Sequence, residues 1–261
     1  MVIARIRQHA VAFNWFAVGV DLLVVAFGVF LGTQANNWNQ ARIERAAAAA
    51  YRQEIVADLL ENERDLAARK AYAEAVRRHG IAALAAIETR QAPRGEQFLV
   101  DAYQASQVWA RPLIRMAYDE MTGAGLSRSM GDQITRSRLT TYYTQIKQFD
   151  ITATSTTTYR DRLRRALPSA VQDAIRGKCD DRVTTFTNGA QISVLPERCE
   201  PDLTPAQVDL AIDRLLAADL EDDLTRNIAD LDQKIGGYAR FLKLARGLRM
   251  RLLAIDGADA A

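Results

Sequence analysis

The chain is poor in the residues that most catalytic and metal chemistry uses. It has two histidines and two cysteines in 261 residues, too few to build an all-protein His/Cys metal site. It has no Gly-x-Ser-x-Gly elbow, no Walker loop and no His-Glu-x-x-His. No catalytic residue, metal or cofactor is therefore expected, and the protein reads as a non-enzyme. Six prolines and 14 glycines argue against a turn-rich sandwich or barrel and for long uninterrupted elements. Charge of one sign is missing too. The 34 basic and 32 acidic side chains leave a net charge of +2, without the basic excess a nucleic-acid binder needs. No internal repeat is evident.

What the sequence does have is one long apolar run. From Trp15 to Ala35 the only charge is Asp21. At about 1.5 Å per residue this stretch reaches about 31 Å, enough for a hydrocarbon core of about 30 Å. Phe13, Trp15 and Phe16 stand at one end and Trp38 at the other, as interfacial aromatic belts do. Asn36, Asn37 and Trp38, followed by Asn39 and Gln40, form a polar exit suited to the headgroup region. A cleaved signal peptide is the competing reading. Against it, the apolar core exceeds the usual length, and Thr33-Gln34-Ala35 is a poor cleavage site. The expectation is a transmembrane helix over 15–35, with 1–14 as a cytoplasmic amino terminus.

Basic residues flank the span almost equally: Arg5 and Arg7 before it, Arg42, Arg45 and Arg52 after it. Orientation is read instead from Cys179 and Cys199. They bracket two β-prone runs joined by Asn188-Gly189, the strongest short hairpin signal. A hairpin near 182–195 would bring the two thiols together at its base. A disulfide there implies an oxidising compartment, which places 36–261 outside the inner membrane of a bacterium, in the periplasm.

The remainder reads as helix. Ala41–Arg78 has no Gly or Pro, and Ile55, Leu59, Leu66, Ala73 and Val76 form a stripe that Asn62 and Arg69 interrupt. The membrane helix is expected to continue into this stalk and to end at His79-Gly80, with Gly as the cap. Shorter helices are expected over 81–90, 98–109 and from Pro112 to Gly123. A long one is expected from Asp132 to Ala166, with a stripe of Leu139, Tyr142, Ile146, Phe149 and Ala153 and a weak point in the β-branched run Thr154–Thr158. Thr204-Pro205-Ala206-Gln207 is a capping box opening a helix to Ala217. Beyond it, Leu224, Ile228, Leu231, Ile235, Tyr238, Leu242 and Ala245 repeat at 4 and 3, a coiled-coil seam. The fold class is mainly α: a transmembrane helix, a stalk and a bundle of long antiparallel helices, with one small β-hairpin.

Asp21, seven positions before Gly28, and then Gln34, Asn36, Asn37, Trp38 and Asn39 resemble the signature of a family of uncharacterised bacterial membrane-anchored proteins, known as a domain of unknown function. Tyr118-Asp119-Glu120 through Gly125-Leu126 to Tyr142-Tyr143 resembles that family's segment after the stalk. Glu is usual in place of Asp21, and a larger small residue in place of Gly32. The resemblance implies topology, and the family has no established activity to carry over.

Asp21 is the candidate functional residue. A charged carboxylate at the centre of a membrane helix costs about 2.5–3.5 kcal/mol, and Asp21 lies about 9 Å along the helix from Trp15. Val25, Gly28 and Gly32 share its face, and Gly28 and Gly32 form a small-xxx-small motif for close helix packing. The expected partners are the lipid bilayer, a second copy of the chain and another inner-membrane protein. The favoured function is a membrane-anchored interaction or sensing module. The alternative is an auxiliary single-span subunit of a proton-motive-force-driven complex, using Asp21. Two further stretches, the Gly123–Gly131 loop ahead of Asp132 and the Arg160–Arg165 run, could meet anions; an interhelical loop and a solvated helix face are the plainer readings.

Overall fold

The computed structural model describes residues 15–89, 95–109, 111–185 and 191–259. Phe13, the 1–14 segment, most of the Ala92-Pro93-Arg94-Gly95 linker and the Asn188-Gly189 turn lie outside the described residues. In order, the elements are α1 (Trp15–Glu88), α2 (Glu96–Gln104), α3 (Met116–Gly123), a 3₁₀ turn (Leu126–Ser129), α4 (Gln133–Thr154), α5 (Thr158–Ala166), α6 (Ser169–Cys179), β1 (Arg182–Thr185), β2 (Gln191–Val194), α7 (Pro205–Ala217) and α8 (Glu221–Asp259). The protein is mainly α-helical with one small antiparallel hairpin. The chain divides into two compact units, Met1–Ala50 and Tyr51–Ala261, and each is described by itself.

In the first unit, α1 carries apolar side chains all round its axis. Leu22, Leu23, Val24, Val25, Phe27, Val29, Phe30 and Leu31 are all more than half exposed. A helix that is apolar on every side suits a core or a bilayer, not water. None of this stretch is buried among the described residues, and it is long and apolar enough to cross a membrane.

The second unit is built on three long helices: α1 from Tyr51 onward, α4 and α8. Ion pairs fix their directions. Arg52 meets Asp256 at 2.7 Å, Glu63 meets Arg249 at 2.5 Å and Arg77 meets Asp232 at 2.6 Å, so α1 and α8 run antiparallel. Arg251 holds Asp132 at one end of α4, and Lys234 donates to the Ser155 carbonyl at the other, so α4 and α8 are antiparallel as well. The expected stripes of α1 and α4 are buried in full: Ile55, Leu59, Leu66, Ala73 and Val76 against Leu139, Tyr142, Ile146, Phe149 and Ala153.

A second core closes the other end. Leu99 and Tyr103 of α2, Tyr159 and Leu163 of α5, Val171 and Ile175 of α6, and Ala211 and Leu215 of α7 pack around Ala83 and Leu224. Arg182 pairs with Val194 and Thr185 with Gln191 across the hairpin. Cys179 and Cys199 are disulfide-bonded, with their Cα atoms 5.6 Å apart.

Several expected boundaries move. The stalk helix does not end at His79-Gly80 but runs on to Glu88. Gly80 serves packing instead, since a Cβ there would stand 3.1 Å from Ile228 Cγ1. The Asp132–Ala166 helix is two helices. The chain turns extended at Ser155 and Thr157, inside the β-branched run, where Ser155 Oγ and Thr154 Oγ1 bond local carbonyls that a helix would use. The helix expected from Pro112 opens at Met116. The one expected over 98–109 occupies Glu96–Gln104. The Thr204 capping box forms as read, with reciprocal bonds to Gln207.

The α8 seam keeps its period but shifts phase. Leu224, Leu231, Tyr238 and Ala245 are buried, joined by Asn227, Lys234, Phe241, Leu248 and Leu252, while Ile228, Ile235 and Leu242 are half-buried. α8 packs against two helices rather than one, so its buried face is centred between them. Phe241 takes the place expected of Leu242 by joining the rings of Phe149 and Tyr142.

Candidate functional site

In the first unit, α1 places Gly28 and Gly32 seven and eleven residues after Asp21, each within about 20° of it around the helix. All three are exposed. Built Cβ atoms at Gly28 and Gly32 meet nothing within 4 Å. The result is a smooth strip with a carboxylate toward its amino-terminal end. Asn36 and Asn37 are exposed, as is Trp38 at 65%, so the polar exit has an aromatic side chain free to reach an interface.

In the second unit a polar layer crosses the bundle where the sequence reading had only interruptions in a stripe. Asn62 is fully buried. Its amide donates to the Ile114 carbonyl at 2.7 Å and accepts from the Ile114 N–H at 2.8 Å, so one side chain pairs with the backbone as a strand neighbour would. Arg69 is 1% exposed. Its Nη2 donates to Asp65 at 2.5 Å, and its Nη1 lies 3.6 Å from Asp150 Oδ1, an ion pair beyond hydrogen-bond reach. Among the described residues, Arg69 Nε and Nη1 have no hydrogen-bond partner, nor has Asp150 Oδ1. Arg111 reaches over to Asp65 at 3.1 Å and to the Gln191 carbonyl at 2.7 Å, tying the hairpin to the layer. Burial pushes the Asp150 carboxyl above the usual carboxylate range, opposed by the Leu113 N–H and by Arg69.

Two of the cavities among the described residues of this unit are small. One, of about 40 Å³, is apolar, between Phe98, Ala102, Tyr159 and Leu215. The other, of about 20 Å³, lies beside the polar layer, lined by Arg69, Tyr72, Gln107, Trp109, Lys234 and Tyr238 among others. Neither has room for a drug-sized substrate, whose pockets run to about 300–1,000 Å³.

The two stretches that could have met anions are filled from within. Asp132 caps α4: its Oδ1 accepts from the Thr135 N–H and hydroxyl, and its Oδ2 from Arg251. Those donors hold the Asp132 carboxyl down at about 2. The arginines of α5 close other helix ends. Arg160 donates to the Ser106 carbonyl behind α2, and Arg162 donates to the carbonyls of Ala218 and Asp219 behind α7 and pairs with Asp223. Arg164 lies over the Tyr103 ring, 3.6 Å from its centre. His79 bridges three segments, with Nδ1 2.7 Å from Asp101 Oδ1 and Nε2 3.2 Å from the Pro196 carbonyl. Cys179 is fully buried in the second core.

Fold and geometry together define a class: a disulfide-clamped helical bundle on a chain whose amino-terminal helix is apolar on every side. No family model, curated protein or solved structure matches the chain. The residues the sequence reading missed are Arg69, Asp150, Lys234 and Trp109. A usable signal existed for one of them: Arg69 sits at a stripe position, where a charge in a buried helix face needs a partner.

Proposed function

We propose that this protein is a membrane-anchored helical interaction or sensing module, non-enzymatic, with α1 spanning the inner membrane of a bacterium and residues 36–261 in the periplasm. The observation that carries this reading is the α1 stretch itself, apolar on every side and not buried among the described residues. The disulfide supports an oxidising compartment for the bundle. The resemblance of the Asp21–Asn39 stretch to the membrane-anchored family supports the same topology, and membership of that family is part of the proposal. The two cavities described are too small for a drug-sized ligand, which favours action through surfaces.

The working surface is the Asp21, Gly28 and Gly32 strip. A second copy of the chain settles there, because the missing side chains let backbones approach and gain dispersion contacts. The α8 seam is buried within its own bundle, which leaves the membrane strip to carry self-association. The second reading is an auxiliary subunit of a proton-motive-force-driven complex, favoured by the carboxylate inside the span. Cysteine crosslinking of the whole chain in native membranes tests the first. Gly28→Ile with Gly32→Ile should abolish the crosslinked pair, and an unchanged pair would sink the strip. Asp21→Asn separates the two readings. It preserves crosslinking and activity in the first, and abolishes activity at unchanged protein level in the second.

A further inference from the structure

The 20 Å³ cavity beside Arg69 is unlike a packing defect, because two cations, Arg69 and Lys234, line it and Arg69 Nε lacks an acceptor among the described residues. Arg69 is 1% exposed, yet its Nε has no partner among the described residues. Lys234 is 6% exposed. Two of its three N–H groups go to the Ser155 carbonyl at 2.6 Å and to Asp230 at 2.8 Å, which leaves the third. Trp109, also in the lining, carries an indole N–H donor. A space of about 10–15 Å³ holds one water, so this cavity takes a single small species. Water needs acceptors for its own hydrogens, and neither Arg69 Nε nor Lys234 Nζ can supply one. An anion asks only for donors.

We propose that this cavity binds one monovalent anion of halide size, held by Arg69 Nε and Lys234 Nζ. Tyr72, Tyr238 and Trp109 wall the site and lower the local dielectric, which strengthens each contact. Charge balance sets the condition. Asp65, Asp150 and Asp230 offset Arg69, Arg111 and Lys234 one for one. Asp150 is the member that yields. It faces Arg69 and Asp65 from α1, the Leu113 N–H from the loop between α2 and α3, and Tyr238 from α8. Burial favours its neutral form, so it takes up a proton ahead of an ordinary carboxylate as pH falls and leaves one cation in excess. Anion uptake is thereby linked to proton uptake.

The test is thermal unfolding of the whole chain in neutral detergent at constant ionic strength. Sodium gluconate is replaced stepwise by chloride, bromide, acetate or sulfate. Chloride and bromide should raise the midpoint saturably, by about 3–5 °C at ten times the dissociation constant, and more at pH 5 than at pH 8. Sulfate should not. A rise with acetate alone would assign the site to a carboxylate and overturn the halide. Lys234→Gln should abolish the halide-specific rise. Should that variant fail to fold, bromide-soaked crystals of the unaltered chain decide: an anomalous peak within hydrogen-bond distance of Arg69 Nε supports the site. Equal midpoints in every salt, or a water in place of that peak, would overturn it.

Discussion

At the scale of the residue, two adjacent glycines in α8 do opposite things. Gly237 faces α4, and a Cβ built on it would overlap the Phe149 ring. Gly236 faces open space, with nothing within 4 Å. Gly237→Ala should therefore destabilise the bundle by about 1–3 kcal/mol, as overpacking does. Gly236→Ala should be neutral or stabilise it by up to about 1 kcal/mol through helix propensity. Chemical denaturation of both variants checks the pair, and equal effects would mean that α8 does not approach α4 at this point. Which of the two must be glycine was not legible in the sequence, because that depends on the phase of α8 between two neighbours.

Asp132 makes a residue-scale prediction about pH. Its folded carboxyl is held at about 2, below the ordinary 3.8, chiefly by the Thr135 hydroxyl and N–H and then by Arg251. A depressed carboxylate contributes stability that is complete above its unfolded value and is lost as pH falls through the folded one. The contribution of Asp132 should therefore be intact above about pH 4 and fade from there toward pH 2. Asp132→Ala should lower the unfolding midpoint at pH 6 and matter less at pH 2. Asp132→Asn keeps an N-cap acceptor and should fall between the two. A variant whose deficit is the same at both pH values would show that the carboxylate charge is not what caps α4.

At the scale of the element, the disulfide clamps the hairpin to the end of α6 and closes 20 residues of chain. Loop closure of that length is worth about 3 kcal/mol in the chain-entropy view. Reduction, or Cys179→Ser with Cys199→Ser, should cost about 2–4 kcal/mol in denaturant unfolding. The loss should be felt first in the second core, where Cys179 is buried among Val171, Ile175 and Leu99. Protection of the amides of α6 and α7 against hydrogen exchange should fall before that of α4. A uniform loss across both cores would mean that the two unfold as one unit.

Elements also show what the sequence could and could not convey. The stripes of α1 and α4, the Thr204 box and the cysteine pair rest on local signals that tertiary contacts reinforce, and each was legible. The end of α1 was not. His79 and Gly80 have the chemistry of a helix stop, but the ring is engaged sideways by Asp101 and Pro196, and the glycine makes room for Ile228. The break at Ser155–Thr157 was legible as a weak point only, since whether a run of β-branched residues bends or stays helical depends on partners. Asn227 and Asp223, which take the hydroxyls of Thr157 and Thr158, stand some 65–70 positions downstream. The polar cavity was hidden for the same reason: α1, α8 and the loop behind α2 each contribute one donor, and no two are neighbours in the chain.

At the scale of the whole molecule, topology is the first question. With α1 as a single span and the bundle in the periplasm, alkaline phosphatase fused after Ala261 should be active, and a fluorescent protein that matures only in the cytoplasm should stay dark there. The reverse pattern would place the bundle in the cytoplasm and remove the disulfide argument with it.

The position of α8 has a further consequence, for the order in which the protein can be made. Both long helices that precede it, α1 and α4, are parallel to each other and pack against α8, and α8 occupies the final 39 described residues. Synthesis runs from the amino terminus, so the first two staves of the barrel wait, with their apolar faces open, for the one that completes it. Meanwhile the hairpin and its disulfide need only nearby chain and can form earlier. The interval before α8 emerges is when the chain is most open to proteases and to wrong partners. A stop codon at Lys234 would not trim the protein but leave it permanently in that interval.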